Sequence, residues 1–477
     1  MVETVLPPPR LLALRDWLWA RRAGLLFLVL TSVCFGLTVY NCYPGFMARD
    51  SGSQLEQARA FEFWDDHPVL MALIWSYTDQ VLPGPAGMLA LMTGVCWAGV
   101  GVFFWALPGP LWWRALMFLG VGFFPPILST YPCILKDPLM HGGLLLGWGC
   151  LLLPTRRAWL LRSLLALLCF VLALGARHNG AAALWPLLAL PLLRLPVARS
   201  QPRWLRLGLA SLGGIVLSFA LTSGVDRALR PLAHRTEFWQ TVPTFDLAAM
   251  SLRRGELLVE PETQVFAEHM GLDQLRQVFQ LDYGPRVYYC IAFEGHRCVN
   301  VFRYSTDPAQ LRQLSDNWLR AIRTYPGTYL RHRLAFARKM LTVSSSNKEL
   351  YYLDGAPHHV LAEDYPPRKR TLRVMAWLER QVHRKVYSPW IYVALSALLL
   401  PVTLLLYLRG RSALPLLLVL SGASYLLSTL LGATSTNYRY SVWTIECTML
   451  ALATLVAMSA GGPARCLREG PADEPVA

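Results

Sequence analysis

The sequence lacks most of the short motifs that identify soluble enzymes. It contains no nucleotide-binding glycine loop, no Gly-x-Ser-x-Gly nucleophile turn and no His-Glu-x-x-His zinc motif. Its 10 cysteines include no Cys-x-x-Cys pair and no spacing with histidine that is typical of a zinc site. Charged residues make up only 16% of the chain. The sequence therefore gives no sign of nucleotide, serine-hydrolase or zinc chemistry, and its hydrophobic part carries more information.

The hydrophobic content indicates an integral membrane protein. Hydrophobic residues make up 54% of the 477 residues, and the mean hydropathy is +0.35, which is outside the range of soluble domains. Runs of about 18 or more mostly apolar residues recur, each long enough to cross about 30 Å of hydrocarbon. They predict about ten transmembrane helices, near residues 23–42, 86–107, 113–131, 138–153, 158–175, 180–193, 206–224, 388–408, 413–432 and 441–460.

The distribution of basic residues predicts the orientation. The net charge is +15, but the positive charge near the helices is concentrated in one set of alternating loops, which is the positive-inside pattern. We therefore do not interpret it as nucleic-acid binding. The opposite short loops carry only Arg49, Arg59, Lys136, Arg177 and Arg439. Both termini are predicted to be cytoplasmic, and the first helix is predicted to be an uncleaved anchor.

The predicted helices divide the chain into three parts. An N-terminal transmembrane module covers residues 1–225, a hydrophilic insert covers 226–387, and the last transmembrane helices with a short cytoplasmic tail cover 388–477. Within the first module, a long outer loop at 43–85 is predicted to hold two helices that lie along the membrane. Ser51 and Gln54 form a capping-box pattern, which predicts that the first of these helices begins next to Asp50.

The insert is long enough to form its own small core, and we predict an extracytoplasmic α+β domain. Residues 317–340 are predicted to be helical with a break at Pro326, and 287–302 to form a hairpin. Cys290 and Cys298 lie in this hairpin. An extracytoplasmic domain permits a disulfide between them, and two unpaired buried thiols are the alternative.

Two carboxylates on the predicted outer side are candidates for chemistry. Asp50 follows the first helix, and Asp137 stands at the outer start of the fourth. Each has a plain alternative, because Asp50 can serve as a helix cap and Asp137 can simply be solvated. Three outer cations, Lys136, Arg177 and Arg439, favour a site. Contact with anionic lipid headgroups is the alternative for the arginines.

This arrangement resembles the C-type glycosyltransferases, which are membrane enzymes that use polyprenyl-phosphate sugars. The resemblance covers the layout of the first half and, more loosely, the whole chain. In that superfamily an outer-loop aspartate follows the first helix, as Asp50 does here. A proline-led segment similar to His67-Pro68 and an acid-proline pair like Asp137-Pro138 come next, and the tract 437–440 looks like the family's arginine-tyrosine tract. Many relatives have a second acid where Ser51 stands, so a divalent cation stays an open alternative.

The resemblance implies an all-α, GT-C-like polytopic protein in a bacterial inner membrane, near the enzymes that glycosylate pilin or envelope lipids. It would be an inverting glycosyltransferase that moves a hexosyl or pentosyl group from a polyprenyl-phosphate donor to a hydroxyl of a protein, glycan or lipid at the periplasmic face. A carboxylate must take the proton of that hydroxyl, and Asp50 is our candidate general base. Asp137 would orient the acceptor or a sugar hydroxyl.

The leaving lipid phosphate requires cations, and arginine suits it through its planar fork of donors. The candidates are Arg177 with the adjacent His178, Arg439 and Lys136. Further candidates for substrate contact are Asp66, His67, Tyr438 and Glu446, of which Glu446 is expected to pair with Arg439 or to line the cavity. Asp65 with Asp66 and His67 offers a possible divalent-cation site, with an ordinary polar loop as the favoured reading.

Two other functional classes remain open at this point. A lipid-linked glycan transporter or flippase would show charges or helix breakers in mid-span, whereas the charges here lie mostly at outer helix ends. A membrane acyltransferase would need a catalytic histidine inside the helix bundle, and His141 is the only candidate.

Overall fold

The computed structural model describes residues 9–65, 67–153, 158–195, 200–259, 271–279, 305–341, 365–382 and 384–460. These residues are almost entirely helical, and we number the α-helices in chain order. The N-terminal part contains α1 (Pro9–Cys42), α2 (Arg49–Ala60), α3 (Val69–Val81), α4 (Ala86–Ala106), α5 (Leu111–Gly122), α6 (Pro125–Leu128), α7 (Lys136–Leu152), α8 (Trp159–Ala176), α9 (Gly180–Leu193) and α10 (Arg203–Leu229).

The rest of the chain adds the helices of the insert and the last three long helices. They are α11 (Thr241–Arg254), α12 (Leu272–Val278), α13 (Pro308–Thr324), α14 (Pro326–Leu341), α15 (Lys369–Val382), α16 (Pro389–Leu408), α17 (Leu414–Gly432) and α18 (Arg439–Ala460). Short 3-10 turns at Arg230–Leu232, Phe238–Gln240 and Lys385–Tyr387 join them. The strands β1 (Phe63–Trp64) and β2 (Ala233–His234) pair in parallel and tie the first loop to the insert.

Seven helices of the described ranges are long and apolar enough to cross a membrane, namely α1, α4, α8, α10, α16, α17 and α18. A multi-pass membrane protein is therefore confirmed. The predicted spans α5, α7 and α9 have only 12, 17 and 14 residues. The prediction of a single helix at 113–131 is wrong. It is divided between α5 and α6 because Phe124 precedes Pro125, and proline keeps the preceding residue out of the helical region.

Glycines allow α4 and α7 to pack at short range. A Cβ atom on Gly142 would lie only 2.8 Å from the backbone nitrogen of Cys96, and one on Gly99 only 3.0 Å from the carbonyl oxygen of Gly142. Small residues at a contact let two backbones approach closely, which is how helices in membranes commonly associate. The close fit fixes α7, whose first two residues are Lys136 and Asp137.

The long first loop contains the two predicted helices, α2 and α3. The apolar side of α2 faces inward, with Leu55 and Ala58 buried. The helix begins at Arg49, next to Asp50 as predicted, but Ser51 is not its N-cap. Ser51 lies inside the first turn, where its Oγ accepts from the N–H of Ala48 at 2.9 Å. The same hydroxyl donates to the carbonyl of Ile134 at 2.6 Å, so a tertiary contact sets its place.

Apart from the short strand β2, the regular elements of the described part of the insert are helices. The predicted break at Pro326 is confirmed, because α13 ends at Thr324 and α14 begins at Pro326. Helix α10 continues to Leu229, slightly past the predicted boundary at 226. The predicted hairpin and the Cys290–Cys298 pair lie outside the described residues, so the β part of the domain and its disulfide stay predictions.

Candidate active site

Backbone contacts bring Asp50 to the start of α7. The N–H of Phe46 donates to the carbonyl of Pro132 at 2.9 Å, and the N–H of Ile134 donates back to the carbonyl of Phe46 at 2.9 Å. The Ser51 hydroxyl contact to Ile134 adds a third bond between the same two segments. Two stretches that are far apart in sequence therefore run side by side. Asp50 follows the first stretch within a few residues, and Asp137 follows the second.

Two arginines meet these carboxylates. Arg439 is the first residue of α18, and its Nη2 donates to Oδ2 of Asp50 at 2.8 Å. Arg177 directly follows α8, and its Nη1 donates to Oδ1 of Asp137. The other oxygen of Asp137 lies 3.6 Å from Nη1 of Arg439, so Asp137 bridges the two guanidinium groups. We call Asp50, Asp137, Lys136, Arg177 and Arg439 the acid–arginine cluster.

Tyr440 brings the two guanidinium groups together on one aromatic ring. The Cζ atom of Arg177 lies 4.7 Å from the ring centroid, and that of Arg439 lies 5.3 Å from it. Cations are attracted to the face of an aromatic ring, which offsets part of their mutual repulsion. Sequence reasoning missed this role, although the position next to Arg439 in an aromatic tract was a usable signal.

The cluster contains three cations and two carboxylates, which leaves one excess positive charge. Asp137 is 1% exposed, and Arg177 and Arg439 are 8% exposed. Buried charges are costly unless they are paired, so this excess favours an anion at the cluster. The arrangement is correspondingly unfavourable for a divalent cation.

Asp50 is the most accessible carboxylate of the cluster, with 23% of its side chain exposed. Burial by itself raises the pKa of Asp50, but the nearby positive charges, above all Arg439, together with the hydrogen bond from Arg439, outweigh burial and hold that pKa well below its usual range. The group is therefore ionised at neutral pH. While Arg439 stays on it, however, Asp50 is a weak base.

His67 and His178 connect the cluster to a neighbouring cavity. Lys136 Nζ donates to Nδ1 of His67 at 2.8 Å, which requires a neutral acceptor nitrogen on that histidine. Burial lowers the pKa of His178, so it too is neutral at pH 7. Both histidines line a cavity of about 530 Å³. Its other walls combine apolar and charged side chains, among them Leu174, Val225, Leu229, Phe238, Trp239, Asp65, Asp226, Arg230, Arg235 and Glu237.

The residues proposed for a divalent cation have other partners. The carboxylate of Asp65 accepts from the backbone N–H of Thr236 at 2.7 Å and from that of Glu237 at 3.2 Å, which fastens the first loop to the insert. His67 faces Lys136 instead. Asp66 lies outside the described residues. Asp65 and His67 therefore have separate structural contacts.

Tyr438 and Glu446 contact residues outside the acid–arginine cluster. Tyr438 is buried, with its ring 5.7 Å from that of Tyr387. The expected pairing of Glu446 with Arg439 is not what the structure shows. Glu446 faces His141, with Oε2 3.7 Å from Nδ1, and both side chains are 2% exposed. Arg439 is the first residue of α18 and turns to Asp50 and Asp137, whereas Glu446 lies deeper on the same helix.

No family model, curated protein or solved structure matches this chain. A function for it therefore rests on the acid–arginine cluster and on the cavity beside it.

Proposed function

We propose that this protein is an inverting glycosyltransferase that uses a polyprenyl-phosphate sugar and acts at the outer face of a bacterial inner membrane. The observation that carries the proposal is the excess positive charge of the acid–arginine cluster, which includes the accessible carboxylate of Asp50 and lies beside a cavity with polar and apolar walls. A polyprenyl-phosphate sugar carries a single negative charge on its phosphodiester. The cluster is complementary to the charge of this phosphodiester, and the polar and apolar walls of the cavity are complementary to the sugar and to the lipid chain.

The two arginines are the proposed phosphate site. A guanidinium group binds phosphate oxygens through parallel N–H donors, and Arg177 and Arg439 already lie on one ring and one carboxylate. The bridging carboxylate of Asp137 balances part of their charge and fixes their spacing. At 1% exposure it is better placed to position the arginines than to touch a sugar hydroxyl.

Donor binding would also activate Asp50. When the phosphate takes the donors of Arg439, Asp50 loses its 2.8 Å partner and its basicity rises. Asp50 then accepts the proton of the acceptor hydroxyl while that oxygen forms a bond to the anomeric carbon. The bond from the anomeric carbon to the phosphate oxygen breaks, and the lipid phosphate leaves with the electron pair, held by the arginines. Attack opposite the leaving group inverts the anomeric configuration.

An acyltransferase that uses His141 finds less support. His141 is 1% exposed, and its ring packs 5.4 Å from that of Trp443. A catalytic histidine must come within hydrogen-bond reach of its substrate, which this burial prevents.

The proposal is tested by locating the lipid phosphate. A cryo-EM map of the protein in nanodiscs with undecaprenyl phosphate should show phosphate density between Arg177 and Arg439, within reach of Asp50. A map of the Arg439→Ala variant under the same conditions should lack it. Density that persists in this variant, or that appears only elsewhere on the bundle, would count against the proposal.

Sidedness gives an independent prediction. We expect a cysteine at Glu56, which is exposed on α2, to react with a membrane-impermeant maleimide added to intact cells. A cysteine at Gln201, just before α10, should react only after the membrane is opened, because the positive-inside pattern predicts that this position is cytoplasmic. The seven cysteines of the described ranges are buried, and the other three should be replaced by serine. Equal labelling of both positions from outside would exclude the proposed orientation.

A further inference from the structure

A second group of buried charged side chains joins three helices of the insert, α11, α13 and α14. Asp246 of α11 is fully buried, and its carboxylate accepts from Nε1 of Trp318 on α13 at 3.0 Å. From α14 it accepts from Nε2 of His332 at 2.9 Å and from Nη2 of Arg333 at 2.8 Å. Burial, together with the charges of Arg333 and Arg253, lowers the pKa of His332 more than Asp246 raises it, so His332 is neutral at pH 7. Among the described residues, Arg333 is therefore the cation that pairs directly with Asp246.

Arg333 also reaches out of the insert to the end of a membrane helix. Its Nη1 donates to the carbonyl of Ala433 at 2.8 Å, with the carbonyl of Leu430 at 3.4 Å. These carbonyls belong to the C-terminal end of α17. The last carbonyls of a helix lack partners within the helix and carry partial negative charge, so a buried guanidinium stabilises them as a cap.

The last turn of α17 is connected to both arginines of the cluster. On one side, Nδ2 of Asn179 lies 3.4 Å from Oγ1 of Thr429, and Oδ1 of Asn179 accepts from Nε of Arg177 at 2.9 Å. On the other side, the buried tract 434–436 leads to Asn437, whose Oδ1 accepts from the N–H of Arg439 at 3.3 Å. A shift of this turn would move both guanidinium groups.

We propose that Arg333 is a positioning residue for the donor site: by capping α17, it sets the spacing of Arg177 and Arg439. The inference rests on the proposed function for its effect on the lipid phosphate. Its structural part, the ordering of the tract 434–438, stands without any ligand. Arg333 does not touch the cluster and acts through α17.

The test uses the double variant Asp246→Asn/Arg333→Met in the full-length protein. Both changes are needed because Arg333→Met alone would leave the buried charge of Asp246 unbalanced. Asparagine can still accept from Trp318. Arg331→Met is the matched control, since Arg331 is exposed on the same helix and donates to the carbonyl of Gly327 within that helix.

Two measurements are made in nanodiscs. Without lipid ligand, the amides of 434–438 should exchange hydrogen at least about tenfold faster in the double variant, because the capped turn opens more often. With undecaprenyl phosphate as the probe, the Kd of the double variant should rise about tenfold. The displaced arginines would lose about one charge-assisted hydrogen bond to the phosphate, and a loss of that kind usually has this effect. In an Arg439→Ala background this rise should be clearly smaller, because one of the two arginines that Arg333 positions is already gone.

Unchanged exchange in a folded double variant would overturn the proposal. A loss of affinity that is equally large with and without Arg439 would overturn it too, because it would indicate general damage to the fold. If wild-type binding of undecaprenyl phosphate does not depend on Arg439, the proposed function fails instead. In that case the exchange rates still decide whether Arg333 orders the tract.

Discussion

Asp50→Asn is expected to lower the rate of sugar transfer by at least about 10²-fold, the usual contribution of a general base. The amide oxygen of asparagine can still accept from Arg439, and the loss of one negative charge from the first turn of a helix costs only about 1 kcal/mol or less, so the fold should persist. The amide cannot accept the proton of the acceptor hydroxyl, however. The measurement is single-turnover transfer from a purified polyprenyl-phosphate sugar, with the donor in excess over its Kd.

Glu56→Gln provides the control for Asp50→Asn. Glu56 is exposed on the same helix, and its neutralisation changes the net charge by the same amount. Transfer by this variant should match the wild type, and both variants should bind the donor. Near-normal transfer by Asp50→Asn would remove Asp50 as the base. Asp137 would then be the next candidate, and donor exchange at Arg439 would no longer be needed for activation.

The membrane helices were predictable because their signal is local. Length and hydropathy alone identify α1, α4, α8 and the last three helices, and the arginine asymmetry assigns Asp50, Asp137, Arg177 and Arg439 to one predicted face. The break at Pro326 was predictable for the same reason, since proline restricts its own backbone and that of its neighbour.

The contacts within the site were not predictable from the sequence, because they depend on residues that are distant along the chain. Ser51 matched a capping pattern, yet its hydroxyl donates to the carbonyl of Ile134, which is 83 residues away. Glu446 was expected to pair with Arg439 on its own helix or to line the cavity, but helix packing brings it next to His141 of α7. The role of Asp246 could not be predicted from the sequence, because its hydrogen bonds depend on how α11, α13 and α14 pack around its carboxylate.

Removal of the Arg439 guanidinium is expected to weaken donor binding and to change the pH dependence of turnover. Arg439→Ala should raise the Kd for undecaprenyl phosphate by about 10-fold to 10²-fold, the range for a charge-assisted pair that is mostly buried. Arg439→Lys should lie between, because an ammonium group keeps the charge but cannot reach Asp50 and Asp137 with a planar fork. Arg411→Ala removes an exposed charge at the opposite end of α17 and should bind normally.

The pH profile separates an effect on Asp50 from a simple loss of affinity. Asp50 must be ionised to act as a base, so kcat/KM should fall on the acidic side as the free protein takes up a proton there. In the wild type this fall should lie below the usual aspartate pKa of about 3.9, because Arg439 and the other nearby cations together outweigh burial. In Arg439→Ala the main lowering cause is gone and burial remains, so the fall should move to higher pH. If the pH profiles of the two proteins coincide between pH 3 and 8, Asp50 is not the titrating base.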